Sequence, residues 1–445
     1  MQYYIYIILA IFAISVSSAN ADAQRRLAAA EKLLETDGKT TLQFHSAVYY
    51  PREISLKFDG YIVGIEKSPI HKITSSDADL QLQAIPNAGL KNIAAAKKEI
   101  LGHAEKLLFV SHIIQNQADS SYTDNCFVYN AYNQNSNIQQ FAKTCQGFSN
   151  DPLQPKNAFT NSWTALDTLK DSLSNQVQSG KYTHVVVITM GWNTVQEEAV
   201  RNFNSIVTNL KAANSSFNPL VIGVTWPSEW EGSNVEKVAS FPDKSADADK
   251  LGLTWLGVLL QETLPKANTK LPVIVVGHSF GSRASSVAAC VGPAIYQNNP
   301  QNNLADNNIN TLMNYEGAFK INRLFKEEDN GIHYSNQCKN VSNVVLTASS
   351  LDSAVNDAIW GNYAGNVASF DKYCKNSQIR CKTAKSDGEF DANPSEQPSD
   401  SNITYIDASK LIDENAYNTG GGAHNDIYRK EHGVLLNKII NRDWN

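Results

Sequence analysis

Gly277-His278-Ser279-Phe280-Gly281 is the stretch whose residue types and spacing most directly suggest chemistry. A serine hydroxyl is a weak nucleophile unless it is held exposed beside a base. A sharp strand-to-helix turn does this by pushing the side chain out at the C-terminal edge of a sheet. Glycines two positions before and two after relieve the backbone crowding such a turn creates. The flanks fit. Residues 272–276 read PVIVV, and Ser282, Ala284, Ser285, Ala288 and Ala289 follow, small enough for a helix to lie close to a sheet. The chemistry open to a serine so placed is nucleophilic attack with a covalent intermediate.

The elements that must position this serine are visible from about residue 160 onward. A helix over 162–178 precedes HVVVIT (184–189), which ends in Met190-Gly191-Trp192-Asn193. A helix over 195–213 precedes PLVIGVT (219–225), which ends in Trp226-Pro227-Ser228. A helix is expected over 246–263, then the PVIVV strand, a helix over 281–291, and strands near 311–316, 342–347 and 402–406. Short β-branched runs alternating with helices predict an α/β protein with a mostly parallel, buried sheet. Polar stretches at 297–309 and 382–401 read as surface loops. Before residue 160 the pattern is weaker. It suggests an amphipathic helix over 22–36, strand-like alternation over 40–66 with a turn at Gly60, a helix over 90–114, and irregular structure over 115–160.

These motifs resemble the α/β-hydrolase superfamily. The resemblance is to a poorly characterised serine-hydrolase, esterase- or lipase-like branch that carries H-G-[FW]-N after an early strand, W-P-S after the next, G-x-S-x-G, and S-x-x-D-x-A after the strand bearing the acid. Here these read Met190-Gly191-Trp192-Asn193, Trp226-Pro227-Ser228, Gly277–Gly281 and Ser349-Ser350-Leu351-Asp352-Ser353-Ala354. The resemblance covers about residues 160–435. Met190 stands where the branch usually has His, so its loop is expected to be held differently. The superfamily's order of Ser, then Asp or Glu, then His implies Ser279 as nucleophile, Asp352 as acid and His424 as base.

Asp352 follows VVLT (344–347), where a carboxylate can orient an imidazole; its other reading is a helix N-cap. Glu316 is the main rival, with Asp357 and Asp407 behind it. His424 sits in Gly420-Gly421-Gly422-Ala423-His424, read as a mobile glycine loop; His432 is its rival, and His278 is expected to pack or support the turn. Backbone N–H groups of Trp192 and Phe280 would form the oxyanion hole. Trp192, Trp226, Trp230 and Trp255 either line an acyl pocket or belong to ordinary core, the second being the simpler reading.

The implied substrate is a small-molecule or lipid ester, with neither metal nor organic cofactor. Acyl transfer, thioester cleavage or amide cleavage by the same residues is the alternative within enzymes. A non-catalytic secreted binding module on the same scaffold is the alternative outside them.

Composition bounds these readings. The 445 residues are 42% hydrophobic and 18% charged, enough for a sizeable core and unlike a disordered chain. A net charge of −6 without a basic block argues against a nucleic-acid partner. Residues 4–16 form an apolar run followed by Ala19-Asn20-Ala21, a small-x-small pattern resembling a secretory signal peptide over 1–21, although only the terminal amine supplies positive charge before it. An uncleaved N-terminal anchor is the alternative. After removal of that segment no run is long enough to span a bilayer. The expected organisation is therefore signal peptide (1–21), N-terminal extension (22–160) and α/β-hydrolase domain (161–445), in a secreted or periplasmic protein. The six cysteines fit an oxidising compartment, with Cys126/Cys145 and Cys374/Cys381 as plausible local pairs and Cys290 as a buried position.

Overall fold

The computed structural model describes residues 55–67, 93–118, 125–131, 143–147, 157–194, 196–228, 241–267, 270–297, 309–324, 338–356, 363–375, 379–391, 401–415 and 421–444. The signal-like segment, the 22–36 helix and the start of the 40–66 alternation lie outside them.

Eleven strands form one sheet in the order β10-β11-β9-β8-β7-β5-β6-β1-β2-β3-β4. They are β1 (Gly60–Lys67), β2 (Leu108–Asn116), β3 (Cys126–Asn130), β4 (Lys143–Thr144), β5 (His184–Thr189), β6 (Pro219–Thr225), β7 (Val273–His278), β8 (Ile309–Tyr315), β9 (Val344–Ala348), β10 (Arg380–Thr383) and β11 (Ile403–Asp407). From β10 to β1 every neighbouring pair is parallel. Only β2 runs antiparallel to its neighbours β1 and β3, and β4 pairs parallel with β3.

The central strands are continuous apolar runs because helices cover both faces. Side chains alternate between the faces with period two. Val185, Val187, Val273, Val275 and Leu312 join one core, and Val186, Ile188, Ile274, Val276 and Met313 the other. The first core is closed by α1 (Ile93–Leu107), α2 (Ala158–Gln178), α4 (Phe241–Leu253) and α5 (Phe280–Cys290), through residues such as Ile100, Leu169, Leu251 and Ala288. The second is closed by α3 (Gln196–Ala213) and α6 (Lys430–Asn441), through Phe203, Leu210, Leu436 and Ile439. Each such enclosed aliphatic or aromatic side chain contributes roughly 1.5–3 kcal/mol relative to exposure.

Three expectations are corrected. The helix expected over 90–114 ends at Leu107, and LFVSHIIQN becomes β2, almost wholly buried between β1 and β3. A short apolar run does not declare its period; enclosure by two neighbouring strands decides it. Residues 115–160 are not all irregular, since CFVYN is β3 and carries the antiparallel part of the sheet outward. The described part of the N-terminal region thus extends the same sheet. The helix expected over 246–263 is also interrupted, at Thr254 (φ −123°, ψ −116°), and resumes at Trp255.

One topological feature bears on function. β5 and β7 are neighbours, yet the chain leaves β5 toward β6 on one side and leaves β7 toward β8 on the other. The loops diverge there, at the strands' carboxyl ends, the usual location of a ligand site in such sheets.

Candidate active site

Ser279 follows β7 at that switch point and adopts φ 54°, ψ −122° before α5 begins at Phe280. A non-glycine residue pays roughly 1–3 kcal/mol for such a conformation, and it persists where the surroundings impose it. Backbone bonds on both sides of the residue impose it here. Ser279 N–H donates to Tyr315 O at the end of β8 (3.0 Å), and Ser279 O accepts from Ser282 N–H and Ala318 N–H (3.1 Å each). The flanking glycines are sites of close approach. A Cβ on Gly281 would lie 2.1 Å from Thr189 O, and one on Gly277 would lie 2.5 Å from Ser282 Cα.

The loop after β5 closes over the serine. A Cβ on Gly191 would sit 2.6 Å from Ser279 Cβ and 3.2 Å from its Oγ, so only glycine lets the two backbones approach this closely. The Met190 side chain is buried, and its loop is held from β6 instead. Trp226 Nε1–H donates to Met190 O (2.8 Å), Asn193 N–H donates to Ser228 O (3.1 Å), and Ser228 Oγ–H donates to Thr194 O (2.8 Å). The Trp226-Pro227-Ser228 segment is thus a brace for Met190-Gly191-Trp192-Asn193.

Asp352 lies beyond β9, fully enclosed, and splits its two oxygens between two tasks. Oδ2 accepts His424 Nδ1–H at 2.7 Å. Oδ1 accepts Ala354 N–H (2.9 Å) and Val355 N–H (3.2 Å), capping the short helix Ser353–Asn356. The cap and the imidazole partner, posed as alternatives from sequence, are both realised.

His424 sits in a single helical turn, Ala423–Asn425, that follows Gly422 at φ 62°. Ala423 N–H donates to Leu351 O (2.9 Å), and Gly421 O accepts from Ser353 N–H (3.1 Å) and Ala354 N–H (3.2 Å). Gly421 and Gly422 allow close pairing with the Leu351–Ala354 segment: a Cβ on Gly422 would lie 2.4 Å from Leu351 O. With Nδ1–H given to Asp352, neutral His424 keeps Nε2 as a proton acceptor.

His278 ties the base loop to the serine turn. Its Nε2–H donates to His424 O (2.8 Å), and the two rings lie 4.8 Å apart. Burial first, then the neighbouring His424, hold its pKa down to about 3, so it is neutral and acts only as a donor and spacer.

The other candidates take different places. Glu316 ends β8 at φ 45°, fully buried, and its Oε1 accepts from Thr347 Oγ1–H (3.0 Å). Burial, then the Asp352 carboxylate, push its carboxyl well above the ordinary range. It lies beside the acid rather than against the imidazole. His432 is buried in α6 at 3.7 Å from Asp426 Oδ1 and edge-on to Tyr315. Asp407 binds Ser409 N–H and Oγ–H (3.0 and 2.6 Å). Asp357 and Trp230 lie outside the described residues. Trp255 is core: it packs on Trp163 and Phe159 and donates to Leu108 O (2.8 Å). Phe280 is enclosed at the start of α5 and Trp192 is half-buried beyond Gly191.

Disulfides join Cys126–Cys145, Cys290–Cys338 and Cys374–Cys381. Cys290 is thus bonded as well as buried. The bracing role of Trp226-Pro227-Ser228 is not legible in the sequence, because a main-chain oxygen accepts the indole bond.

A mostly parallel sheet with a serine turn at its switch point defines the α/β-hydrolase fold. Residues 165–379 match a family described as alpha/beta hydrolase of unknown function (DUF900), a stretch that includes Ser279 and Asp352 and stops before His424. Over that stretch the chain is similar to alpha/beta hydrolases, and its sheet and crossovers are those of the α/β-hydrolase fold. Among curated proteins none matches it. Among solved structures a Trichoderma reesei cutinase in complex with a C11Y4 phosphonate inhibitor is similar at 11% identity, covering 63% of this chain and 87% of that one with a TM-score of 0.22.

Proposed function

We propose that this chain is an exported serine hydrolase that cleaves carboxylic esters of small molecules or lipids through an acyl-enzyme on Ser279. His424 Nε2 takes the Ser279 Oγ proton as Oγ bonds to the ester carbonyl carbon. The carbonyl electron pair moves onto oxygen, where the N–H groups of Trp192 and Phe280 receive it. Collapse expels the alcohol, which takes the proton from His424. Water then enters by the same route and releases the acid. Asp352 holds the imidazole in the Nδ1–H tautomer and stabilises it when protonated.

The observation that carries the reading is the forced φ of 54° at Ser279, at the sheet's switch point, next to a base loop whose histidine is bound to a buried carboxylate at 2.7 Å. Export is supported by three disulfides, which persist in oxidising compartments, and by the signal-like residues 1–21. Among the described residues no helix is long and apolar enough to cross a membrane.

A fluorophosphonate probe and a panel of p-nitrophenyl esters test the reading. Labelling and turnover are expected in the wild type, with both lost in Ser279→Ala. Labelling that persists in Ser279→Ala refutes the nucleophile. No labelling and no turnover in the wild type favours the binding-module reading. Product analysis with an added alcohol separates hydrolysis from acyl transfer.

A further inference from the structure

Two acids meet behind the base. β8 and β9 are neighbours, so the residues that leave their carboxyl ends come together. Glu316 leaves β8 and Asp352 leaves the loop after β9, and both are completely enclosed. Two carboxylates in contact inside a protein cannot both carry charge, so one must keep a proton.

The hydrogen-bond inventory decides which. Asp352 receives three donors: His424 Nδ1–H, Ala354 N–H and Val355 N–H. Glu316 Oε1 receives the hydroxyl of Thr347, whose oxygen in turn accepts Glu316 N–H (3.1 Å), and a Ser349 backbone group adds weaker support. Its Oε2 is buried and accepts from no donor, and the group its carboxyl meets is the Asp352 carboxyl. A carboxylate is stabilised where donors converge, so the charge belongs on Asp352 and the proton on Glu316. The direction of the Glu316 shift agrees.

We propose that Glu316 is a neutral positioning acid, which presents its carboxyl proton to Asp352 and keeps that carboxylate aimed at His424. It is a support for the triad acid, not a substitute for it. The charged and titratable groups around it are Asp352, His424 beyond Asp352, and the buried Tyr405, whose own phenol is pushed up by burial and then by Glu316. The proposal rests on the reading of Asp352 and His424 given above.

The distinguishing variant is Glu316→Gln, because an amide keeps both a donor for Asp352 and an acceptor for Thr347. Its kcat is expected within about threefold of wild type, whereas Glu316→Ala, with the donor gone, is expected to lose roughly 10–100-fold in kcat with KM little changed. Glu316→Gln falling as far as Glu316→Ala, or Glu316→Ala retaining full kcat, overturns the proposal. Infrared difference spectroscopy of wild type against Glu316→Gln gives a readout that needs no turnover. At about pH 8, well above the ordinary carboxyl range, the carbonyl stretch of a protonated acid is expected in the wild type and absent from Glu316→Gln. A carboxylate pair of bands in its place overturns the proposal even if folding of Glu316→Ala is impaired. Ser279 labelling of the wild type separates these failures from failure of the hydrolase reading.

Discussion

Asp249 and Asp352 are both enclosed carboxylates, Asp249 on α4 and Asp352 beyond β9. Asp249 is gripped by two guanidinium groups. Arg283 Nε and Nη2 donate to its two oxygens at 2.9 and 2.5 Å, and Arg323 Nη1 and Nη2 donate to the same pair at 2.8 and 3.0 Å. Burial alone would raise its pKa, but Arg283 and then Arg323 outweigh burial and hold it well below the carboxylate range. Asp352 is met instead by an imidazole, two amides and a neighbouring acid. Permanent cations fix a proton state and tie α4, α5 and the Ile321–Arg323 turn together. Neutral donors and an imidazole leave the charge of Asp352 free to serve the proton transfer proposed for His424. Arg283 belongs to the helix that starts just after Ser279, the proposed nucleophile, so the ion cluster and the serine turn share one element.

The largest expected effects separate the corners by readout. Ser279→Ala should lower kcat by roughly 10⁵–10⁶ and Asp352→Asn by roughly 10⁴, measured by ester turnover, with thermal midpoints near wild type for Ser279→Ala. Asp249→Ala should do the reverse. Leaving two enclosed guanidinium groups uncompensated is expected to cost about 3–5 kcal/mol in urea unfolding. Replacing Asp249, Arg283 and Arg323 together by Leu, Met and Met should cost less than Asp249→Ala alone, because no charge is then stranded. If the triple variant is the worse of the two, the ion cluster is held by more than its own compensation.

How far these corners were legible differs in the same way. The Ser279 turn is written locally: a β-branched run, a glycine on each side and small residues after, all within one stretch of chain. Strand β5 and helix α3 are legible for the same reason. The Asp352–His424 contact joins residues 72 positions apart, and only the order implied by a family resemblance pointed to it. The Asp249 cluster left no sequence signal, because one aspartate and two arginines on three separate elements have no spacing to read. β2 and β3 were missed because their apolar runs acquire strand character from neighbours, chiefly β1, rather than from their own periodicity. The bracing of Met190 by Trp226 was hidden for another reason: a main-chain oxygen accepts the bond, and any residue type supplies one.

A smaller effect distinguishes the corners by pH. Free His278 titrates near 6.5 and the folded protein holds it at about 3, so between these values the unfolded chain binds more protons. Stability from this group is therefore complete above about pH 6.5 and declines as pH falls toward 3, by a few kcal/mol in all. Asp249 follows the same sign lower down, losing its share only as pH falls below its ordinary value of 3.8. Unfolding of wild type and His278→Phe compared at pH 7, 5 and about 4 should show the gap between them narrowing on acidification. A gap that stays constant places the pH response elsewhere. The smallest effect concerns charge without enclosure. Lys266 and Glu262 form a pair one helical turn apart at 2.7 Å, but the lysine side chain is 50% exposed. Lys266→Ala should cost only about 0.3–0.5 kcal/mol, and half of that or less at high salt. A loss near that of Asp249→Ala would mean that short distance, not exclusion of water and convergence of donors, makes a charge pair matter in this protein. The contrast drawn between the two buried corners would then have the wrong physical cause.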